Sequence, residues 1–243
     1  MKKTILAVLF SSLMIGSVAQ AAPLSADQEA QVRKLVRDTL VENPEILEEA
    51  IVALQAKQGE KQQAQMKETL KAEHDALFND PTSPRIGKKD AKLVLVNFTD
   101  FNCPFCKRFD PQLMDIVKKY PNDVAVVIKY LPFKGQTSMD SAQLTMTLWQ
   151  EDPKAFEALH HKFMQKQGML SDANIKDALK ATGNDKLKAS DKSRDGIRTN
   201  MILAEKLGVN GTPATLVGDE MIPGAIDAQQ FEAVVKEQLA KLK

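Results

Sequence analysis

The chain holds two cysteines, Cys103 and Cys106, in the stretch Cys103-Pro104-Phe105-Cys106. A dithiol at this spacing can pass reversibly to a disulfide, and its thiolate can attack a disulfide in another molecule. A structural role is a weaker fit. Bridging so short a gap constrains the unfolded chain very little, because the stabilisation from loop closure grows with loop length. The apolar run Leu93-Val94-Leu95-Val96-Asn97-Phe98 precedes the pair, and Phe105, Phe109, Leu113, Ile116 and Val117 follow at helical spacing. A buried strand feeding a tight turn and then a helix would set both thiols on the first helical turn.

At that position the unpaired N–H groups and the macrodipole favour negative charge, so Cys103 is the expected nucleophile, with a lowered pKa. Cys106, one turn further in, is expected to be more buried and to resolve a mixed disulfide by attacking Cys103. Pro104 and Phe105 set the local geometry and dielectric, and neither can donate a charged hydrogen bond to the thiolate. Asp100 reads either as a proton acceptor near the buried thiol or as a solvent-facing turn residue. Lys107 and Arg108 either favour the thiolate or form a solvated face. A zinc site would need two more ligands, and the only imidazoles are His74, His160 and His161. The last two are adjacent on a predicted helix and so point in different directions. Cu(I) is the other metal reading, since soft thiolates at Cys103 and Cys106 suit it. The ten methionines show no closely spaced pair to assist, and fill core gaps more naturally.

The 243 residues suffice for one large domain or two small ones, and 43% hydrophobic with 27% charged residues is ordinary for a globular chain. A net charge of +1 gives no reason to expect nucleic acid as a partner. Residues 1–21 read as a signal peptide: Lys2 and Lys3, an uncharged apolar stretch from Ile5 to Val18, then Ala19-Gln20-Ala21 as a cleavage site. The apolar stretch is shorter than the roughly 20 residues of a spanning helix. The expected product is an exported soluble protein in an oxidising compartment.

Residues 22–55 read as helical, starting with a capping box at Ser25 and Gln28. Val32, Leu35, Val36, Thr39 and Leu40, then Ile46, Leu47, Ala50, Ile51 and Leu54, form one apolar stripe, with Asn43 expected to cap a second helix and Pro44 to be its first residue. The stripe must pack on the main domain or on another copy, because so short an amphipathic helix cannot bury its apolar face alone. Residues 56–87 read as a charged linker, helical or flexible, ending in the turn-rich Asn79-Asp80-Pro81-Thr82-Ser83-Pro84. Residues 88–243 read as α/β: a parallel βαβ unit over Lys92–Leu131, a helical insert at about 138–207, Gly211-Thr212-Pro213-Ala214, a hairpin turning at Gly218-Asp219, and a last helix capped by Asp227.

Phe98-Thr99-Asp100 ahead of the cysteine pair, the helical insert, and the distant Gly211-Thr212-Pro213-Ala214 with Gly224 resemble the thioredoxin fold of DsbA- and DsbC-type periplasmic thiol-disulfide oxidoreductases. Leu40 to Ala50 resembles the N-terminal segment of the suppressor-of-copper-sensitivity C (ScsC) proteins. The resemblance implies a thioredoxin fold with an inserted helical domain behind an N-terminal oligomerisation stalk, trimeric in the best-known cases. It implies a cis Thr212-Pro213 loop that faces the cysteines and pairs with substrate backbone. It implies exported client proteins with disulfides, a membrane reductase of the DsbD/ScsB type, a link to copper tolerance, and no cofactor beyond a redox-active Cys103–Cys106 disulfide. The expected activity is disulfide isomerisation or reduction. The alternatives are a DsbA-like dithiol oxidase and, in another class, a Cu(I)-sequestering protein.

Overall fold

The computed structural model describes residues 24–242. The signal-peptide reading of residues 1–21 lies outside them. The chain divides into two compact units, one ending at Gly59 and the other beginning at Glu60.

In the first unit, helix α1 (Ala26–Glu42) starts on the expected capping box. The Gln28 N–H donates to Ser25 Oγ at 3.3 Å, and the Ser25 N–H donates to Gln28 Oε1 at 2.9 Å. Helix α2 (Glu45–Ala72) follows, its residues from Glu60 onward belonging to the second unit. Asn43 does not cap it, which corrects the expectation: Asn43 closes α1, its Nδ2 donating to the Thr39 carbonyl at 2.9 Å. Neither helix buries a residue. Val32, Leu35, Val36, Ile46, Leu47 and Ile51 all stand exposed. The segment beyond Ala56, which the residue pattern left open between helix and flexible chain, is helical as far as Ala72.

The second unit is built on a five-stranded sheet of order β1-β3-β2-β4-β5. Strand β2 (Leu93–Thr99) runs parallel to β3 (Val124–Tyr130), Leu93 opposite Val124, and α4 (Pro104–Lys119) makes the crossover. Strand β4 (Ala214–Val217) lies antiparallel on the other edge of β2 and forms a hairpin with β5 (Glu220–Pro223). Gly218 turns that hairpin at φ +65°, and a Cβ there would lie 2.3 Å from Gln238 Oε1. Between β3 and β4 the chain inserts α5 (Gln136–Glu151), α6 (Pro153–Gln165), α7 (Asp172–Ala181) and α8 (Asp191–Lys206). The last helix, α9 (Ala228–Lys241), starts on Asp227, whose carboxylate accepts from the N–H groups of Gln229 and Gln230. Alternate residues of β2 serve opposite faces. Leu93 and Leu95 join Phe109, Leu113 and Phe231 in the larger core; Val96 and Phe98 join Leu203, Leu207 and Leu216 in the smaller. Burial on both faces explains the apolar run, interrupted at Asn97 alone before Phe98.

The catalytic unit begins well before residue 88. Helix α3 (His74–Phe78) buries Leu77 completely, Met66 and Leu70 pack on the smaller core, and strand β1 (Arg85–Ile86) pairs antiparallel with β3. The composition misled because few apolar residues, spaced widely among charges, do this packing. Lys129, fully buried in β3, fastens the segment. Its Nζ donates to the Ala76 carbonyl at 2.6 Å, to Ser83 Oγ at 2.7 Å and to Asp80 Oδ2 at 3.1 Å. Lys129→Met leaves that carboxylate without its cation and is expected to cost about 3 kcal/mol, as breaking buried pairs does. Adding Asp80→Asn should recover part of the loss. Urea denaturation of the three proteins checks this, and a single-variant loss under about 1 kcal/mol would mean the lysine does not hold the segment.

Candidate functional site

Strand β2 ends at Thr99, and the next residues turn into α4, whose N-cap is Cys103. Cys103 has extended backbone geometry (φ −84°, ψ 116°), and its sulfur accepts the Cys106 N–H at 3.4 Å. Pro104 occupies the first helical turn, where its missing N–H leaves nothing unsatisfied. Both cysteines are free thiols and both are buried. Pro104 and Phe105 face outward, Phe105 being 53% exposed with the Arg108 guanidinium 4.7 Å over its ring.

The second half of the site comes from a residue more than a hundred positions away. The β2–β4 register sets Phe98 opposite Ala214, which carries the preceding Thr212-Pro213 to the end of β2. That bond is cis. The Gly224 N–H donates to the Pro213 carbonyl at 2.8 Å, tying the loop to the end of the hairpin. The Cys103 thiol donates to the Thr212 carbonyl at 3.1 Å. The expected site residues Cys103, Pro104, Phe105, Cys106, Thr212 and Pro213 are thus brought together.

Electrostatics separate the two sulfurs. Cys103 is pulled down to about 5, first by a hydrogen bond from the Cys106 thiol, then by the Thr212 side chain and the N–H groups of Cys106 and Phe105, against the opposing effect of burial. Cys106 is pushed far up, first by burial and then by its neighbour's sulfur. A stable thiolate therefore forms at one sulfur only, the arrangement in which one attacks and the other stays protonated.

Of the neighbouring charges, Arg108 is exposed, as the solvated-face reading has it, while Asp100 and Lys107 are held by partners. Asp100 is not solvent-facing; it is a buried hub. Its Oδ1 accepts from the Asn102 N–H at 2.8 Å and the Ser138 hydroxyl at 2.7 Å, and its Oδ2 accepts from the Lys134 N–H at 3.0 Å. Lys107 turns away from the sulfur. Its half-buried ammonium donates to the carbonyls of Lys166 and, at 2.8 Å, Gly168. Asn102, which the residue pattern did not single out, donates to Thr137 Oγ1 at 2.8 Å and accepts the Leu170 N–H at 2.7 Å. Behind the motif, His160 is buried between Asp110 Oδ1 (2.9 Å) and the Tyr130 hydroxyl (2.7 Å), with Phe101 against both rings. His161 is exposed beside Gln165, so the two imidazoles diverge as their adjacency requires. Among the described residues no group of three or more His, Cys, Asp or Glu is placed to hold a metal.

Residues 79–237 match the thioredoxin family model, and residues 28–65 match the model described as the copper resistance protein ScsC N-terminal domain. The Proteus mirabilis ScsC, crystallised in a transitional conformation, is 59% identical, with 90% of this chain and 98% of that one covered and a TM-score of 0.70. A periplasmic thioredoxin-like protein from Salmonella enterica serovar Typhimurium is 56% identical over 69% of this chain and 95% of its own, TM-score 0.67. The disulfide bond formation protein D of Bacillus subtilis is 27% identical, covering 68% of this chain and 82% of the relative. Fold, site and relatives define a thiol-disulfide oxidoreductase of the thioredoxin class. Within that class the chain belongs to the ScsC family, which is linked to copper resistance.

Alkylation of the reduced protein by iodoacetamide should modify Cys103 alone, with a rate that rises through a midpoint near pH 5; peptide mapping and the pH profile check this. The sign for stability follows from the same shift. Cys103 binds fewer protons folded than unfolded between about 5 and the unfolded thiol value of about 8.5, so the reduced form should gain stability across that window and lose it as pH falls towards 5. The raised Cys106 opposes this only above about pH 8.5. A Cys103→Ser variant should lack the gain in urea denaturation.

Proposed function

We propose that the chain is exported to the periplasm after removal of residues 1–21 and acts there as a disulfide isomerase or reductase on misoxidised exported proteins. Cys103 is the nucleophile and Cys106 the resolving thiol. Thr212 and Pro213 form the loop that receives client backbone, and Pro104 and Phe105 tune the pair. No cofactor is needed beyond the Cys103–Cys106 couple.

The Cys103 thiolate attacks one sulfur of a client disulfide, forming a mixed disulfide and releasing the other client sulfur as a thiolate. In isomerisation a client thiolate then attacks the mixed disulfide at the client sulfur. A new client disulfide forms, Cys103 leaves as a thiolate, and no net electrons move. In reduction the deprotonated Cys106 attacks Cys103, the Cys103–Cys106 disulfide forms, and the client keeps two electrons. A membrane reductase of the DsbD/ScsB type would restore the dithiol. A Cys103 value of about 5 lies between those typical of thioredoxin (~7) and DsbA (~3.5), which supports a pair less oxidising than DsbA. Phe105, directed to solvent, offers the thiolate no hydrogen bond that would make it more oxidising.

The observation that carries the isomerase reading is the apolar face of α1 and the start of α2, which buries nothing yet exposes Leu35, Leu47 and Ile51. Further copies of the chain would cover it, in a trimer by the family resemblance. Several Cys103 sites on one oligomer would hold a client at more than one point and raise the effective concentration of the second contact. The copper link fits a periplasm in which metal-driven oxidation produces wrong disulfides.

The mature chain should reactivate scrambled ribonuclease and scatter light as an oligomer. Deletion of residues 22–55 should give a monomer that still reduces small disulfides but loses reactivation. An oligomeric deletion form would reject the stalk, and efficient oxidation of reduced ribonuclease without reactivation would favour the oxidase. Tight Cu(I) binding that survives Cys103→Ser and Cys106→Ser together would move copper away from the motif.

A further inference from the structure

Beside the cysteine pair lies a groove of about 560 Å³ whose lining includes Pro104, Phe105, Arg108, Gln167 and Met169, together with Asn102 and Lys107. That volume suits one or two side chains rather than a folded surface. Its apolar members are unusually open, Phe105 at 53% and Met169 at 62% exposure. One wall is the dipeptide between the two cysteines. The other is the loop after α6, and two polar anchors from the motif fix it there: Asn102 to the Leu170 N–H, and Lys107 to the Lys166 and Gly168 carbonyls. Lys107 thus spends its charge on backbone. The groove has no acidic lining residue, and Asp100, whose charge Lys107 senses, has both oxygens engaged elsewhere. Arg108, exposed over the Phe105 ring, is the cation that faces outward.

From this geometry we infer that the groove selects the client segment joined to Cys103, taking an apolar side chain next to the client cysteine and an acidic side chain beyond it. The inference rests on the thiol chemistry proposed above and names its substrate preference. Phe105 and Met169 receive the apolar side chain, because their exposed surface is removed from water only when something covers it. Arg108 faces the acidic one. Asn102 and Lys107 act as positioning residues: their polar atoms are spent on the loop after α6 and hold Met169 at the distance the groove requires.

The test uses the full reduced chain and peptides that carry one cysteine as a disulfide with thionitrobenzoate. Attack of the Cys103 thiolate on the peptide sulfur forms the mixed disulfide and releases coloured thionitrobenzoate. Cys106 then closes on Cys103 and releases the peptide thiol, so two electrons pass from the protein to the reagent. Peptides with Leu-Glu, Leu-Lys or Ser-Ser after the cysteine are compared, alongside the glutathione–thionitrobenzoate disulfide. Leu-Glu should exceed Ser-Ser by about tenfold in second-order rate, which burying about half a leucine side chain supplies, with the difference in half-saturation rather than limiting rate. It should exceed Leu-Lys by about threefold, the scale of an exposed charge pair. Met169→Ser should reduce the Leu advantage to under about twofold, and Arg108→Glu should invert the Glu and Lys order. Lys107→Met should lower the Leu advantage, and Lys107→Arg should restore it. A wild-type protein that reacts with the glutathione–thionitrobenzoate disulfide but treats all three peptides within about twofold overturns the groove alone. Failure to react with any of the four reagents overturns the thiol chemistry and the groove with it.

Discussion

Strand β2 is bonded along both edges, and the reactive centre depends on that double pairing. Its parallel partner β3 fixes where the chain leaves the sheet for α4, and its antiparallel partner β4 fixes where Thr212 and Pro213 stop. One residue of slip on either edge would move every β2 side chain to the opposite face and separate the two loops. Such slip is resisted by the cores. Leu93 and Leu95 belong to one and Val96 and Phe98 to the other, so no shifted register satisfies both. The meeting of Cys103 with the Thr212 carbonyl at 3.1 Å is thus a product of sheet packing, with the local chemistry of the motif added afterwards.

On this frame the polar residues around the motif divide their work. Asp100 gathers donors from the cysteine loop, from Lys134 and from Ser138 at the start of the insert, so one carboxylate joins three segments. Asn102 and Lys107 join the same loop to the chain after α6. None of these groups is among the influences that lower Cys103, which come from Cys106, Thr212 and the backbone at the helix start. Positioning and activation are carried by different residues, and Lys129 does for the first strand edge what Asp100 does for the site.

Much of this was legible in the sequence where a pattern has a single physical cause. The run Leu93 to Phe98, the helical spacing after Phe105, the break at Gly218-Asp219 and the capping residues Ser25 and Asp227 each report local constraints, and each element appears where its pattern places it. The cysteine spacing and Thr212-Pro213 marked the site through resemblance, since nothing local to residue 212 says what it faces. Long-range polar contacts were not legible. Asp100 read as a proton acceptor or a turn residue, and Lys107 as a charge favouring the thiolate or a solvated one, because the partners that hold them lie 34 to 61 residues away. The start of the catalytic unit was missed for a related reason: Met66, Leu70 and Leu77 are too widely spaced among charges to stand out as core. Asn43 shows the reverse error, a residue fitting two caps where the completed helix before it takes the side chain.

Phe105 lies between the two cysteines in the chain and is more than half exposed, outside both cores. Replacing it leaves no internal void and disturbs no buried partner, so the fold places little constraint on which residue stands there. The same position adjoins the thiolate and forms one wall of the groove. A single exchange could therefore retune electron affinity and client choice together while the melting temperature stays nearly constant.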